Sequence, residues 1–173
     1  MEINMKKIIT FLIFTFCFSE TKIGWVDSQY IFNQLDETRE AQVELEKKQR
    51  SLEAELMKMI SRGDSLYQAF EKQAPLMGAE MQKNKQTELV EMQKQIELFQ
   101  MQKLGPEGEL YSFYAQLIAP IEKKILDSIA KIGNERGYDY ILDSSRGGIV
   151  HALDSHKLDE FVLEDLRKGS ISE

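Results

Sequence analysis

The stretch DETREAQVELEKKQRSLEAELMKMISRGDSLYQAFEKQA, residues 36–74, decides the fold. Within it Leu45, Leu52, Met59 and Leu66 recur at a heptad interval, and Leu56 and Phe70 occupy the complementary set, so one stripe can face a partner helix. Glu and Lys dominate the other positions and no proline appears before Pro75. The pattern predicts a single helix of nearly forty residues, roughly 55–60 Å long. Gly63 is its weak point, because a glycine inside a helix costs about 0.5–1 kcal/mol relative to alanine and here also leaves a seam position without a side chain.

Beyond this stretch, Ala74-Pro75-Leu76-Met77-Gly78 reverses the chain: proline resists continuation, and Gly78 permits the unusual dihedrals of a reversal. A second segment carries Leu89, Met92, Ile96 and Phe99 at alternating spacings of three and four. Antiparallel register about Leu76 places Leu89 beside Gly63 and Ile96 beside Leu56, so residues 36–103 are expected to form a helical hairpin. Gly105-Pro106-Glu107-Gly108 interrupts the returning limb. A further helix from Glu109 to Arg136 has Leu117, Ile121, Ile125, Ile129 and Ile132 on one face, with Pro120 expected to bend it and Gly137 to stop it.

Strand-like pieces flank the arm. Ile23 to Val26 is one, followed by Asp27 or Ser28 as a helix cap, and Tyr138 to Asp143 is another. Gly147-Gly148 is read as a tight turn into a third strand, Ile149 to Leu153, and Asp159 as the cap of a last helix from Leu158 to Lys168. The expected fold class is α+β: a small β-containing body made of residues 20–35 and 104–173, with the arm, residues 36–103, inserted in it. A body this small has little core of its own, which makes oligomerisation a physical expectation.

The first nineteen residues read as an export signal, with Lys6 and Lys7 at the positive end, Ile8 to Phe18 as the apolar core, and Cys17 and Ser19 as small residues before a cut. That core is about half the roughly 20 residues a membrane-spanning helix needs, so no stable membrane insertion of the mature chain is expected. The only cysteine lies in this segment, leaving the mature chain neither a disulfide nor a thiol nucleophile. Removing Glu2, Lys6 and Lys7 takes the 22 basic and 29 acidic residues to 20 and 28, a net charge of −8. Nucleic acid is therefore not an expected partner, since its binding needs clustered Lys and Arg.

No catalytic, cofactor or metal constellation is found. His151 and His156 are too far apart in sequence to share a face, and Gly147-Gly148 lacks the spacing of a phosphate loop. Asp139 and Asp143 on one strand would stand roughly 13 Å apart, beyond the reach of a paired acid and base. Ser144-Ser145 has no positioned base. What remains is apolar surface. With the seam fixed, Met57, Ile60 and Tyr67 fall off it on the first helix, Val90, Leu98 and Met101 on the second, and Leu76 and Met77 stand at the tip. These eight form the expected binding surface. Methionine suits a surface that must repack around varied partners.

The two ends of the mature chain resemble the Skp/OmpH family of periplasmic chaperones. The likeness lies in Lys22-Ile23-Gly24-Trp25-Val26-Asp27-Ser28, in Leu117-Ile118-Ala119-Pro120-Ile121, and in Gly137-Tyr138-Asp139-Tyr140-Ile141-Leu142-Asp143, in that order around a heptad arm. The resemblance implies a periplasmic homotrimer with a central β body and three helical arms around a cavity that holds unfolded outer-membrane proteins without ATP. Ile23, Trp25, Val26, Tyr138, Ile141, Leu142 and Ile149 match its assembly strands. The chain is acidic where the best-known member is basic, which leaves hydrophobic capture with more of the work. A structural or adaptor coiled-coil protein of the cell envelope would use the same heptads, but it would not need apolar residues off the seam.

Overall fold

The computed structural model describes residues 20–170, and the expected export signal lies outside the described residues. The elements are β1 (Ile23–Val26), α1 (Ser28–Gln34), α2 (Asp36–Gln73), α3 (Ala79–Phe99), α4 (Glu109–Arg136), β2 (Tyr140–Asp143) and α5 (Asp159–Ser170). Two compact units result: one takes in the described residues up to Ile31 and from Ile125 onward, the other is Phe32–Lys124.

In the first unit β1 and β2 pair in parallel, with Ile23 opposite Tyr140, Gly24 opposite Ile141, Trp25 opposite Leu142 and Val26 opposite Asp143. Parallel neighbours cannot be joined by a tight turn. The crossover here is everything between them in sequence, including the whole helical arm. Val26, Ile31, Ile125, Ile132, Leu158, Val162 and Leu163 are the buried apolar residues of this unit. Gly24 is forced by packing, since a Cβ there would stand 2.9 Å from Leu158 Cδ1 and 3.0 Å from the Tyr138 ring.

Side chains close the ends of these short elements. Asp27 caps α1: its carbonyl accepts from Ile31 N–H and its carboxylate from Tyr30 N–H. At the end of α4, Tyr138 N–H reaches the Gly133 carbonyl and Gly137 N–H the Asn134 carbonyl, with Gly137 at φ 67°, which is a Schellman motif. That cap engages Tyr138, so β2 begins at Tyr140 rather than at the expected Tyr138. Asp159 is not the cap of α5. The Leu158 carbonyl takes Val162 N–H, while the buried Asp159 carboxylate turns to Asp27 N–H at 2.8 Å and to Lys157 Nζ at 3.1 Å.

The expected strand from Ile149 to Leu153 does not form. These residues are irregular and Val150 is fully exposed, because the free side of β1 is taken by Lys157 and Leu158: Trp25 bridges Lys157, and Leu158 N–H donates to the Trp25 carbonyl. Gly147 and Gly148, both at positive φ, turn the chain but join no hairpin.

In the second unit the heptad reading holds. Leu45, Leu52, Leu56, Met59, Leu66 and Phe70 on α2, with Leu89, Met92, Ile96 and Phe99 on α3, are all half-buried or buried, Leu52 and Met92 most deeply at 5% and 8% exposure. A Cβ on Gly63 would meet Met92 Cγ at 3.5 Å and Ile96 Cδ1 at 3.6 Å, not Leu89 as expected. Helical side chains lean toward their own N-terminus, so residues further along α3 reach back to that level. At the tip, residues 74–76 make one 3₁₀ turn, and the Gln82 amide donates to the carbonyls of Ala74 and Met77. Gly78 does not use its conformational freedom. It is extended, and its carbonyl accepts from Gln82 N–H at the start of α3. α4 runs through Pro120 without a break.

Two glycines should respond oppositely to alanine. Gly63→Ala places its methyl in ordinary contact with the seam and should stabilise the chain by about 0.5–1 kcal/mol. Gly24→Ala overpacks and should cost about 1–3 kcal/mol. Urea unfolding of both variants checks the pair, and equal signs would contradict the packing described.

Candidate functional site

The side chains that fall off the seam are where a partner could bind. Along α2 the seam residues face inward, and Val43, Met57 and Tyr67 stand exposed, with Ile60 half-buried between the last two. Met57 is 63% exposed, far more than its seam neighbour Met59. On α3 Met81, Val90 and Leu98 are exposed, and Met101, in the π-helical turn that follows, is also 63% exposed. Leu76 at the tip is 89% exposed, while Met77 beside it is half-buried. Six of the eight residues expected from periodicity are thus open to solvent; Ile60 and Met77 are partly covered.

Charge around these residues is mixed. Lys47 pairs with Glu44 at 2.6 Å, Arg50 with Glu46 at 2.8 Å and Lys85 with Glu88 at 2.6 Å, all within one turn of their own helix. Such local pairs leave no broad field of one sign on the arm. Glu71, through hydrogen bonding and then its charge, holds the Tyr67 hydroxyl above its ordinary pKa.

Sequence reasoning missed Val43, Met81, Tyr111 and Tyr114, all exposed in the same unit. Val43 lies two heptads before Met57 and could have been found by extending the off-seam stripe. Tyr111 and Tyr114 open α4 just after the Gly-Pro interruption, where the seam gives no guide to orientation.

The family pattern described as outer membrane protein (OmpH-like) matches residues 22–166. The chain belongs to this OmpH-like family. No individually curated protein matches it significantly. Its fold is shared by a solved structure from Caulobacter crescentus CB15, described as a candidate outer membrane chaperone (OmpH-like), with a TM-score of 0.74 at 10% identity over 87% of this chain and 86% of that one. OmpH-like membership accounts for both the small sheet and the long helical arm. Among the described residues no helix is long and apolar enough to cross a membrane.

The residues expected from the resemblance to serve assembly are placed unevenly. Ile23 and Leu142 are exposed, as is Tyr140 beside them. Trp25 is half-buried, with Nε1 donating to the Leu153 carbonyl at 2.9 Å and Lys157 Nζ 5.0 Å from its ring. Tyr138 is half-buried with Lys22 Nζ 4.1 Å from its ring centre and His156 edge-on to it. Ile141 packs toward Gly133, Ile149 is half-buried, and Val26 is buried.

Asp139 and Asp143, screened for chemistry, have structural partners. Asp139 accepts Lys22 N–H at 2.7 Å. Asp143 accepts from both the N–H and the hydroxyl of Ser28 and of Ser145; burial pushes its carboxyl up, but these bonds outweigh burial and leave it below the ordinary range. Among the described residues no cluster of three His, Cys, Asp or Glu could hold a metal.

Seam and surface should separate in stability. Leu52→Ala should cost about 2–5 kcal/mol, whereas Met57→Ser or Met101→Ser should change stability by less than about 0.5 kcal/mol. Thermal unfolding of the three variants reads this directly, and a loss at Met57 equal to that at Leu52 would place Met57 in a core.

Proposed function

We propose that this chain is an ATP-independent holdase of the periplasm, whose arms take up unfolded outer-membrane proteins and keep them from aggregating. The observation that carries the reading is the row of solvent-exposed apolar side chains, Met57, Tyr67, Leu76, Val90, Leu98 and Met101, on an arm whose seam is already satisfied. A spacer needs no such row. Covering what remains exposed of each side chain would contribute roughly 1–2 kcal/mol before the ordering of the client is subtracted. Several shallow contacts of that size can hold an extended chain and still release it.

Membership of the OmpH-like family supports the assignment, as does the export signal read in residues 1–19. A homotrimer is part of the proposal. A two-stranded sheet of four residues a strand is too small to be stable alone, and its own residues Ile23, Tyr140 and Leu142 are exposed. Together with Trp25, Tyr138, Ile141 and Ile149 they are the residues offered for assembly, while Val26 would support them from within. Ile60 and Met77 would join the client surface by modest side-chain movement.

The test is light scattering from an unfolded outer-membrane β-barrel protein diluted out of urea without ATP, with and without the purified chain. Suppression near one oligomer per client is expected, and it should weaken severalfold when Tyr67, Leu76, Leu98 and Met101 are replaced by serine in a chain that still assembles. No suppression by a folded, assembled chain would favour the envelope adaptor.

A further inference from the structure

We propose that Glu109 is the electrostatic lock of a joint in the arm at residues 100–108, one that rising ionic strength opens. The returning limb changes geometry here: α3 passes into a π-helical turn, Gln100–Leu104, and then into the Gly105–Gly108 break. Gly108 N–H donates to the Gly105 carbonyl, so the chain folds tightly over Pro106 and Glu107. The Gly108 carbonyl then accepts from Ser112 N–H, which opens the hydrogen-bond ladder of α4. No side chain fits at either glycine. A Cβ on Gly105 would collide with the Met101 carbonyl, and one on Gly108 would stand 2.9 Å from the Gln102 carbonyl oxygen.

Such a segment has two alternatives. It can act as a loose hinge, since glycines at both ends and a missing proline N–H leave few backbone bonds to hold it. Otherwise something outside its own backbone must fix it. Glu109 is placed to do so. Its carboxylate pairs with Lys103, before the break, and with Lys48, on α2. Three segments thus meet at one carboxyl group, and Lys48 also lies 5.9 Å from the Phe113 ring centre on α4. Lys103 and Lys48, chiefly through hydrogen bonds, hold the Glu109 carboxyl down at about 2, while Glu109 raises Lys103, helped by the more distant Glu55. Glu109 further sits in the first turn of α4, where a negative charge is favoured.

The side chains of Lys48, Lys103 and Glu109 are each about one-third exposed, at 33%, 37% and 35%. That places the lock where salt can reach it, unlike a dry ion pair. The pairs Lys47–Glu44, Arg50–Glu46 and Lys85–Glu88 join residues of one helix turn and fix nothing beyond it, and the Lys124–Glu37 pair between α4 and α2, at 3.5 Å, includes no residue of the joint. The Glu109 network instead ties distant points of the chain, so its loss is felt as motion of the joint rather than as local fraying.

Amide hydrogen exchange on the purified protein tests it. In about 0.05 M salt, Glu109→Gln should speed exchange at residues 100–108 roughly fivefold, and the Lys48→Gln, Lys103→Gln double variant should match it. About 1 M salt should bring the wild type to the same rates while leaving Glu109→Gln unchanged. Lys85→Gln, which breaks the pair with Glu88, should leave the joint as it was. Exchange in Glu109→Gln equal to wild type, or a joint in the wild type indifferent to salt, would overturn the lock. If Glu109→Gln unfolds globally, the salt response of the wild type decides alone.

Discussion

An apolar stripe can be buried only once. In this chain the heptad residues of α2 and α3 cover one another, with Leu52 and Met92 deepest, so the arm satisfies its main stripe within one chain. Every other apolar side chain on these helices must then find a different neighbour or remain in water. This turns Met57, Tyr67, Val90, Leu98 and Met101 from ordinary surface residues into the main functional evidence. An arm that only measured distance could carry Lys, Glu or Gln at those positions with better solubility.

The same exclusion shapes the small sheet. Parallel strands demand a long crossover, and the insertion of the arm between β1 and β2 supplies one. The strands are short, and the ends of the surrounding elements are tied by side chains rather than by further strands. Asp27 caps α1, while Asp143 and Asp159 hold the backbone N–H groups of Ser28 and Asp27 from more than a hundred residues away in sequence. These acidic residues thus serve as connectors in a body with little sheet.

Heptad spacing made the helices legible because it is a local signal repeated many times. The 38 residues of α2, the end of α4 at Gly137 and the cap at Asp27 all follow from residue type and spacing. Long-range competition was not legible. Ile149 to Leu153 has the composition of a strand, but Lys157 and Leu158 occupy the available side of β1. Asp159 has the chemistry of a cap, but Asp27 N–H draws its carboxylate away. Gly78 looks like a left-handed turn residue and is extended, because the 3₁₀ turn at Ala74 already reverses the chain. The register beside Gly63 differed for a geometric reason, the lean of helical side chains, that counting residues from the tip ignores.

The central claim is that unfolded chains bind the off-seam face of the arm, and methionine methyl NMR tests it most directly. With labelled methyl groups and a urea-diluted outer-membrane β-barrel protein as client, Met57, Met81 and Met101 should shift or broaden, whereas Met59 and Met92 in the seam should change least. Perturbation confined to the seam methionines, or none at all with the client bound, would contradict the account.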